Sequence, residues 1–338
     1  MSLPPSSRLQ LTADLNICRV LNGMWQVSGA HGSIDPERAV ESMFDHVDAG
    51  FTTFDLADHY GPAEDFIGEF RRRLEQRRGR DALARVQAFT KWVPMPSAMT
   101  RAAVQSAIDR SLRRMNVDAL DLIQFHWWDY GDDRYLDALK HMADLQREGK
   151  IKHLALTNFD TIHLATILDS GIAIVSNQVQ YSLIDRRPQI RMAQLCRDRG
   201  VQLLAYGTVC GGLLTNRFLG APEPRRAELD TASLQKYKRM IDAWGGWDRF
   251  QKLLAALDEV ARRHGVSIAN VATRYVLDQP AVAGVILGVR LGRSAHVKDN
   301  ARVFELTLDS SDLDRIAAAS AGARDLFAAI GDCGDEYR

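Results

Sequence analysis

Four side chains suited to proton transfer stand at or shortly after the ends of three successive predicted strands: Asp55, Tyr60, Lys91 and His126. A buried lysine needs a counter-charge, and Asp55 on the neighbouring strand is the obvious partner for Lys91. Because a nearby cation favours the phenolate, we expect the pKa of Tyr60 to be lowered. His126 is expected to hydrogen-bond a substrate oxygen and orient it.

These groups together predict a general acid that protonates an oxygen as it gains negative charge. A carbonyl oxygen gains such charge when its carbon accepts hydride. Each residue taken alone also has an ordinary structural interpretation, because a single buried aspartate often caps a loop and a single buried histidine usually belongs to the core. The hypothesis therefore depends on a fold that brings the four side chains together.

The elements that carry these residues alternate between strand and helix. Eight strands are predicted, at 19–24, 51–55, 86–91, 121–126, 151–157, 174–178, 201–206 and 282–288. Such alternation is typical of a parallel sheet, and eight strand–helix units favour a closed (β/α)8 TIM barrel. The alternative is an open, doubly wound sheet. That fold normally has a glycine-rich phosphate turn after its first strand, and no GxGxxG occurs here.

We expect one barrel domain, residues 1–338, with a short N-terminal β-hairpin formed by Leu9–Leu11 and Leu15–Cys18. A helix is predicted from the N-cap Asp35, and others include 100–115, starting at Thr100, and 187–199. A long loop is expected at 207–248. Extra helices at 294–303 and 309–321 are expected to end the chain.

Composition excludes several classes of function. The chain has 43 basic and 43 acidic residues, so its formal net charge gives no reason to expect binding to nucleic acid or an anionic membrane. The cysteines form no CxxC pair, which is typical of reduced thiols. The sequence shows no apolar signal core and no run long enough to span a membrane. We expect a cytoplasmic protein whose partner is a small molecule; its oligomeric state is left open.

The sequence resembles the aldo-keto reductases over nearly its whole length. The family pattern F-D-x-A-x-x-Y-G is matched position for position by Phe54–Gly61, Lys91 ends Phe89-Thr90-Lys91, and His126 ends the next strand. The resemblance implies that Asp55, Tyr60, Lys91 and His126 form a catalytic tetrad. It also implies that a nicotinamide cofactor delivers hydride to an aldehyde or ketone.

The resemblance implies a set of cofactor contacts. Thr157, Asn158 and Gln178 would hold the nicotinamide amide, and Tyr206 would stack on the ring, although Gly207 departs from the serine common in the family. A G-x-R loop for the adenosine phosphate is matched by Gly288 and Arg290. The full predicted set is Gly23, Met24, Trp25, Asp55, Thr157, Asn158, Gln178, Tyr206, Gly207, Gly288, Arg290, His296 and Asn300. NADP(H) is favoured over NAD(H), and no metal is expected.

A substrate pocket is predicted from the tryptophans. Trp25, Trp92 and Trp127 lie at predicted strand ends, and Trp244 and Trp247 lie in the expected long loop. We expect these rings to line a mostly apolar pocket.

Two other functions are compatible with parts of the sequence. Some aldo-keto reductases resemble redox-sensing regulatory subunits with slow turnover, but no partner-binding segment stands out here. A barrel metallohydrolase is the third possibility, because Asp55, Asp58, His59 and His126 are metal-ligand types. The spacing lacks an H-x-H pair, and Lys91 would then need another explanation.

Overall fold

Eight parallel strands close into a barrel in the computed structural model, which describes residues 3–29, 32, 34–293 and 296–338. An antiparallel hairpin precedes it, formed by β1 (Arg8–Thr12) and β2 (Leu15–Cys18). The barrel strands are β3 (Val20–Gly23), β4 (Thr53–Asp55), β5 (Gln87–Trp92), β6 (Leu122–His126), β7 (Leu154–Thr157), β8 (Ser176–Gln180), β9 (Gln202–Tyr206) and β10 (Val282–Gly288). Pairing of β10 with β3 closes the ring. The predicted TIM barrel and hairpin are confirmed.

Helices surround the barrel. Those of the described chain are α1 (Pro36–Asp48), α2 (Ala63–Arg78), α3 (Arg80–Leu83), α4 (Arg101–Met115), α5 (Tyr135–Arg147), α6 (Thr161–Asp169), α7 (Met192–Arg199), α8 (Ala232–Trp244), α9 (Trp247–His264), α10 (Ile268–Leu277), α11 (Val297–Ala301), α12 (Ser310–Ser320) and α13 (Leu326–Ile330). Side-chain caps fix several of their starts. Asp35 accepts hydrogen bonds from the first turn of α1, and Thr100 accepts one from Ala103 in α4. No helix in the described ranges has the length and apolar character needed to cross a bilayer.

Three predicted elements differ from the structure. The helix expected at 187–199 is a 3-10 turn followed by α7, because the Arg187 side chain turns inward to a buried ion pair with Asp185. The expected loop 207–248 contains α8, which Thr231 caps and which buries apolar residues at helical spacing. The helix expected at 294–303 is described as α11 and a 3-10 turn; Ser294 and Ala295 lie outside the described residues.

An apolar layer fills the barrel below the predicted site, and hairpin residues pack against it. Side chains alternate along a strand, so every second residue faces the interior. The polar candidates lie two or four residues after members of this layer on the same strand, and so share their side of the strand. The pairs are Phe89 and Lys91, Leu122 with Gln124 and His126, Ala155 and Thr157, and Leu204 and Tyr206. The alternation that builds the core therefore also presents the polar side chains at one end of the barrel.

Packing of α2 on α4 holds the loop that carries Tyr60. Buried Glu64 in α2 accepts a hydrogen bond from Thr90 at 2.7 Å and lies 3.4 Å from the Arg114 guanidinium of α4. Arg114 also donates to the carbonyl of Asp58, at 3.2 Å. Arg114 thereby ties the loop between β4 and α2 to α4, and Glu64 ties the start of α2 to β5.

The two helices approach each other closely at Gly68. A Cβ atom placed there would lie 2.1 Å from the carbonyl oxygen of Arg114, which cannot move without its helix. We expect Gly68→Ala to lower the free energy of unfolding by about 1–3 kcal/mol, measured by urea unfolding. Gly131→Ala is the control, because its Cβ would meet only the flexible Asp129 carboxylate, at 3.1 Å. Equal stability of the Gly68 variant and wild type would contradict this packing.

Candidate active site

A buried ion pair lies at the centre of the barrel mouth. The Lys91 ammonium donates to both Asp55 oxygens, at 2.8 and 2.7 Å, and to the Leu56 carbonyl at 3.0 Å. The two side chains are only 3% and 5% exposed. Burial lowers the pKa of Lys91, while the Asp55 charge acts in the opposite direction. Adjacent strands therefore bring the predicted cation and its counter-charge together.

Two glutamines complete the surroundings of Asp55. The amide groups of Gln124 and Gln178 each donate to Asp55 Oδ1, at 2.8 and 2.7 Å, and Gln178 also donates to Gln124 Oε1. The carboxylate thus receives hydrogen bonds from three side chains on three strands. Asp55 is held as an acceptor, and its orientation is fixed.

Tyr60 packs beside this pair. Its ring centroid lies 5.2 Å from the Lys91 ammonium and 4.9 Å from the Trp25 ring, in edge contact. The predicted lowering of its pKa is wrong for this structure: burial, and then the Asp55 charge, raise the pKa of Tyr60 well above its ordinary value. The nearby Asp55 carboxylate offsets the cation that was expected to act on the phenol. Tyr60 consequently carries its proton at neutral pH.

Two buried polar atoms of this cluster, His126 Nε2 and Thr157 Oγ1, have no hydrogen-bond partner among the residues that the structure describes. The strand register places these residues opposite each other on β6 and β7. Burial, followed by the charge of Arg338, lowers the pKa of His126 to about 3, so its imidazole is neutral. Native proteins seldom leave such atoms unpaired. These two are therefore candidates for contact with a ligand.

Asn158 and Tyr206, predicted to contact nicotinamide, are next to each other. The Tyr206 hydroxyl lies 2.9 Å from Asn158 Oδ1 and 3.1 Å from Glu336 Oε1. Asn158 has a left-handed backbone conformation, with φ of 57°. Gly207, the residue after Tyr206, has a φ of 74°, and a Cβ atom there would lie 2.3 Å from the Tyr237 hydroxyl. Glycine at 207, in place of the family's usual serine, thus makes room for α8.

The residues predicted to contact the rest of the cofactor lie on β3 and β10 and on the segments that follow these two strands. Gly23 and Gly288 pair in register, Gly23 also pairs with Asp55, and the buried Met24 donates its amide to the Asp55 carbonyl at 2.8 Å. A Cβ on Gly288 would lie 2.1 Å from the Gln26 amide nitrogen, so this glycine permits the close approach of Gln26. Arg290 and His296 are exposed on the following loop, and Asn300 is half-buried in α11.

The tryptophans separate into two groups. Trp25 is half-buried and contacts both Tyr60 and His59. Trp92 and Trp127 instead pack on Phe125, which belongs to the core between barrel and helices. Trp244 and Trp247 are buried in α8 and α9. The structure therefore brings only Trp25 of this predicted set to the tetrad.

Sequence reasoning missed several residues at the mouth. Trp128, one residue beyond the predicted Trp127, is 37% exposed and packs on His126 with ring centroids 4.4 Å apart. Gln124 was detectable, because it precedes His126 by two positions and so shares its side of the strand. The chain end is less predictable: Glu336 and Tyr337 reach Tyr206, and Tyr337 also approaches His126. No local pattern in the sequence indicates that contact.

The structure gives no support to a metal centre. In the described ranges, no three His, Cys, Asp or Glu side chains are grouped to hold an ion. Asp58 Oδ1 instead lies 3.1 Å from Nδ1 of the adjacent His59. The Asp55 carboxylate accepts hydrogen bonds from Lys91 and the two glutamines.

The neutral state of His126 predicts a specific pH dependence of stability. Its folded pKa of about 3 lies below the ordinary value of 6.5, so the unfolded chain binds a proton that the folded chain does not. Stability should fall as pH decreases from about 6.5 toward 3, by up to about 1.4 kcal/mol per pH unit from this residue. His126→Asn should remove that part of the slope in urea unfolding series. The exposed His296→Asn is the control, and an unchanged slope in the His126 variant would refute the assignment.

Comparison with known proteins agrees with the fold. A family described as "Aldo/keto reductase family" matches residues 19–321. Protein tas of Escherichia coli (strain K12) is 30% identical over 250 residues, covering 68% of this chain and 69% of that protein. Flagellar radial spoke protein 5 of Chlamydomonas reinhardtii is 28% identical, over 71% of this chain but only 56% of its own length. The "NADH-specific methylglyoxal reductase" of Escherichia coli (strain K12) is 21% identical, covering 89% of this chain and 94% of that protein.

Solved structures share the architecture. The glycerol dehydrogenase AKR11B4 from Gluconobacter oxydans superposes with a TM-score of 0.76 at 22% identity, covering 94% of this chain and 96% of that one. An aldo/keto reductase from Klebsiella pneumoniae, solved with NADP and acetate, gives 0.70 at 21% identity, with coverage of 94% and 97%. At this level of identity, the likeness concerns the fold. Because the family match extends over most of the chain, this protein belongs to the aldo/keto reductase family, whose members are NAD(P)H-dependent oxidoreductases of carbonyl compounds.

Proposed function

We propose that this chain reduces an aldehyde or ketone to the alcohol, using NADP(H), with Tyr60 as the proton donor. The observation that carries the proposal is the arrangement at the barrel mouth. A protonated Tyr60 lies beside the Asp55–Lys91 pair, while the neutral His126 has an unpartnered ring nitrogen. These are the groups that a carbonyl oxygen needs when it becomes an alkoxide.

The roles divide between positioning and proton transfer. Neutral His126 can donate from Nε2 to the carbonyl oxygen if its other ring nitrogen carries no proton, which fixes the direction of that oxygen. Tyr60 gives its hydroxyl proton to the developing alkoxide. Its raised pKa is compatible with this step, because an alkoxide is a stronger base than a phenolate. Lys91, which its ion pair with Asp55 holds 5.2 Å from the Tyr60 ring centroid, then stabilises the phenolate that forms.

The donor set on β7 and β8 fits a nicotinamide carboxamide. Thr157 Oγ1 is buried without a partner, and the Asn158 amide and the Gln178 side chain lie on the same rim. Thr157, Asn158 and Gln178 would hold the carboxamide, and Tyr206 would contact the ring. The bound cofactor would supply the hydride. Gln178 is hydrogen-bonded to Asp55 here, so its side chain would link the cofactor to the ion pair.

The choice of NADP(H) rests on Arg290. Arg290 is exposed on the loop after β10, two residues beyond Gly288. Arginine binds phosphate through a planar pair of donors. The structural relative from Klebsiella pneumoniae was solved with NADP, whereas a curated relative is named NADH-specific. Gly23, Met24, Trp25, His296 and Asn300 are assigned to the remaining cofactor contacts on the family resemblance.

The substrate pocket is proposed to be aromatic at its inner end. Trp25 and Trp128 flank Tyr60 and His126, respectively, and the Tyr337 ring contacts both His126 and Trp128, with ring centroids 6.1 Å from each. Trp92, Trp127, Trp244 and Trp247 would shape this pocket through packing, because their rings are buried. We therefore propose a carbonyl attached to an apolar or aromatic group.

Tyr60→Phe tests the proposed proton donor. The substitution keeps the ring against Trp25 and removes the phenol, so the fold and the affinity for NADPH should be nearly unchanged. Single-turnover oxidation of NADPH should slow by about 10²–10⁴-fold, because the proton moves only in the transition state. Tyr275→Phe, on α10 beneath the Arg186 guanidinium, is the matched control. Turnover within a few-fold of wild type would show that Tyr60 is not the acid.

Arg290→Ala tests the proposed phosphate contact. Loss of a charged hydrogen bond should weaken NADPH binding by roughly tenfold to a hundredfold, while NADH binding should be nearly unchanged. Both affinities can be measured by fluorescence titration of the same preparation. Equal weakening of the two cofactors, or of neither, would remove Arg290 from the phosphate site.

A further inference from the structure

The last residue of the sequence, Arg338, joins two of the strand ends that carry the site. One nitrogen of its guanidinium donates to the carbonyls of Trp127 and Asn158, both at 2.9 Å. The guanidinium also lies over the Tyr130 ring, 3.8 Å from its centroid. Trp127 directly follows His126, and Asn158 directly follows Thr157. Arg338 therefore joins the backbone directly after His126 to the backbone directly after Thr157.

The backbone at Asn158 needs such support. Its φ of 57° is left-handed, a conformation that asparagine tolerates but that costs free energy in a chain without other constraints. Three groups of the protein converge on its carbonyl oxygen. Arg338 donates at 2.9 Å, the Tyr130 hydroxyl at 3.3 Å, and Gly334 packs so closely that a Cβ there would lie 2.1 Å away.

The segment that presents Arg338 is itself firmly attached. Arg187 pairs with Glu336 at 2.9 Å and donates to the Asp332 carbonyl at 2.8 Å. The Arg187 and Glu336 side chains are only 1% and 5% exposed. Asp332 in turn accepts from the Thr161 amide at 3.0 Å. These contacts hold residues 332–338 in place at the barrel mouth.

We propose that Arg338 is a positioning residue that holds Asn158 for the nicotinamide end of the cofactor. The inference rests on the function proposed above, because Asn158 is assigned there to the carboxamide. Without the guanidinium, two carbonyls lose a charged donor and the left-handed residue loses a main restraint. The nicotinamide end should then bind less well. The adenosine end is assigned to the loop after β10, so its binding should not depend on Arg338.

Arg338→Ala in the full chain separates these two ends. Affinities would be measured for NADP⁺ and for 2′,5′-ADP, which carries the adenosine half of the cofactor but no nicotinamide. NADP⁺ should bind roughly tenfold more weakly to the variant, whereas 2′,5′-ADP should bind as it does to wild type. Arg239→Ala, an exposed arginine of α8, is the matched control and should alter neither affinity.

Rescue experiments test the position of the charge. Arg338→Lys should recover part of the NADP⁺ affinity, because an ammonium has donors for both carbonyls but lacks the planar stack on Tyr130. Ethylguanidinium added to the alanine variant should recover affinity, and it should leave wild type unchanged.

Two results would overturn the inference while leaving the proposed function intact: wild-type NADP⁺ affinity in Arg338→Ala, or equal weakening of NADP⁺ and 2′,5′-ADP. Failure of the wild-type chain to bind NADP⁺ at all would overturn the proposed function, and this inference with it.

Discussion

The ion pair between Asp55 and Lys91 is the constraint on which the rest of the site depends. Two charges in the barrel interior are costly to desolvate, and they persist only because each is satisfied. Lys91 has three acceptors, and Asp55 also receives the amides of Gln124 and Gln178. Removal of one partner would leave the other charged and buried. The strands β4, β5, β6 and β8 must therefore keep their register at this level of the barrel.

The pair also sets the electrostatics around it. Burial, and then the Asp55 charge, raise the pKa of Tyr60, so the phenol keeps its proton. Burial likewise keeps His126 neutral. The result is a buried Asp55–Lys91 pair beside two neutral donors, which suits a neutral carbonyl substrate. Negative charge would appear there only during the reaction, when the ion pair and the donors can stabilise it.

Much of this arrangement could be predicted from the sequence, because it follows from local periodicity. Alternation along β5 and β6 places Lys91 and His126 on the inner side, and the order of the strands makes Asp55 the neighbour of Lys91. The same reasoning predicted the barrel and the hairpin. Trp92 and Trp127, however, were assigned to the pocket without regard to that alternation, although their neighbours Lys91 and His126 already occupy the inner side.

The remaining differences arise from contacts between distant parts of the chain. The pKa of Tyr60 depends on how deeply the phenol is buried and on its distance from the Asp55 charge, and the sequence alone gives neither quantity. The helix α8 could have been predicted, because its buried apolar residues follow a helical spacing, whereas the need for glycine at 207 depends on the distant Tyr237. The placement of Glu336 against Tyr206 joins residues 130 positions apart.

The central claim is that this barrel mouth transfers hydride from a nicotinamide cofactor to a carbonyl. The most direct test mixes the purified chain with NADPH deuterated at the transferred position and a panel of aromatic and aliphatic aldehydes. The account predicts that deuterium appears on the carbonyl carbon of the alcohol, with one alcohol formed for each NADPH consumed. Absence of labelled alcohol with every aldehyde, for both deuterated NADPH and deuterated NADH, would contradict it.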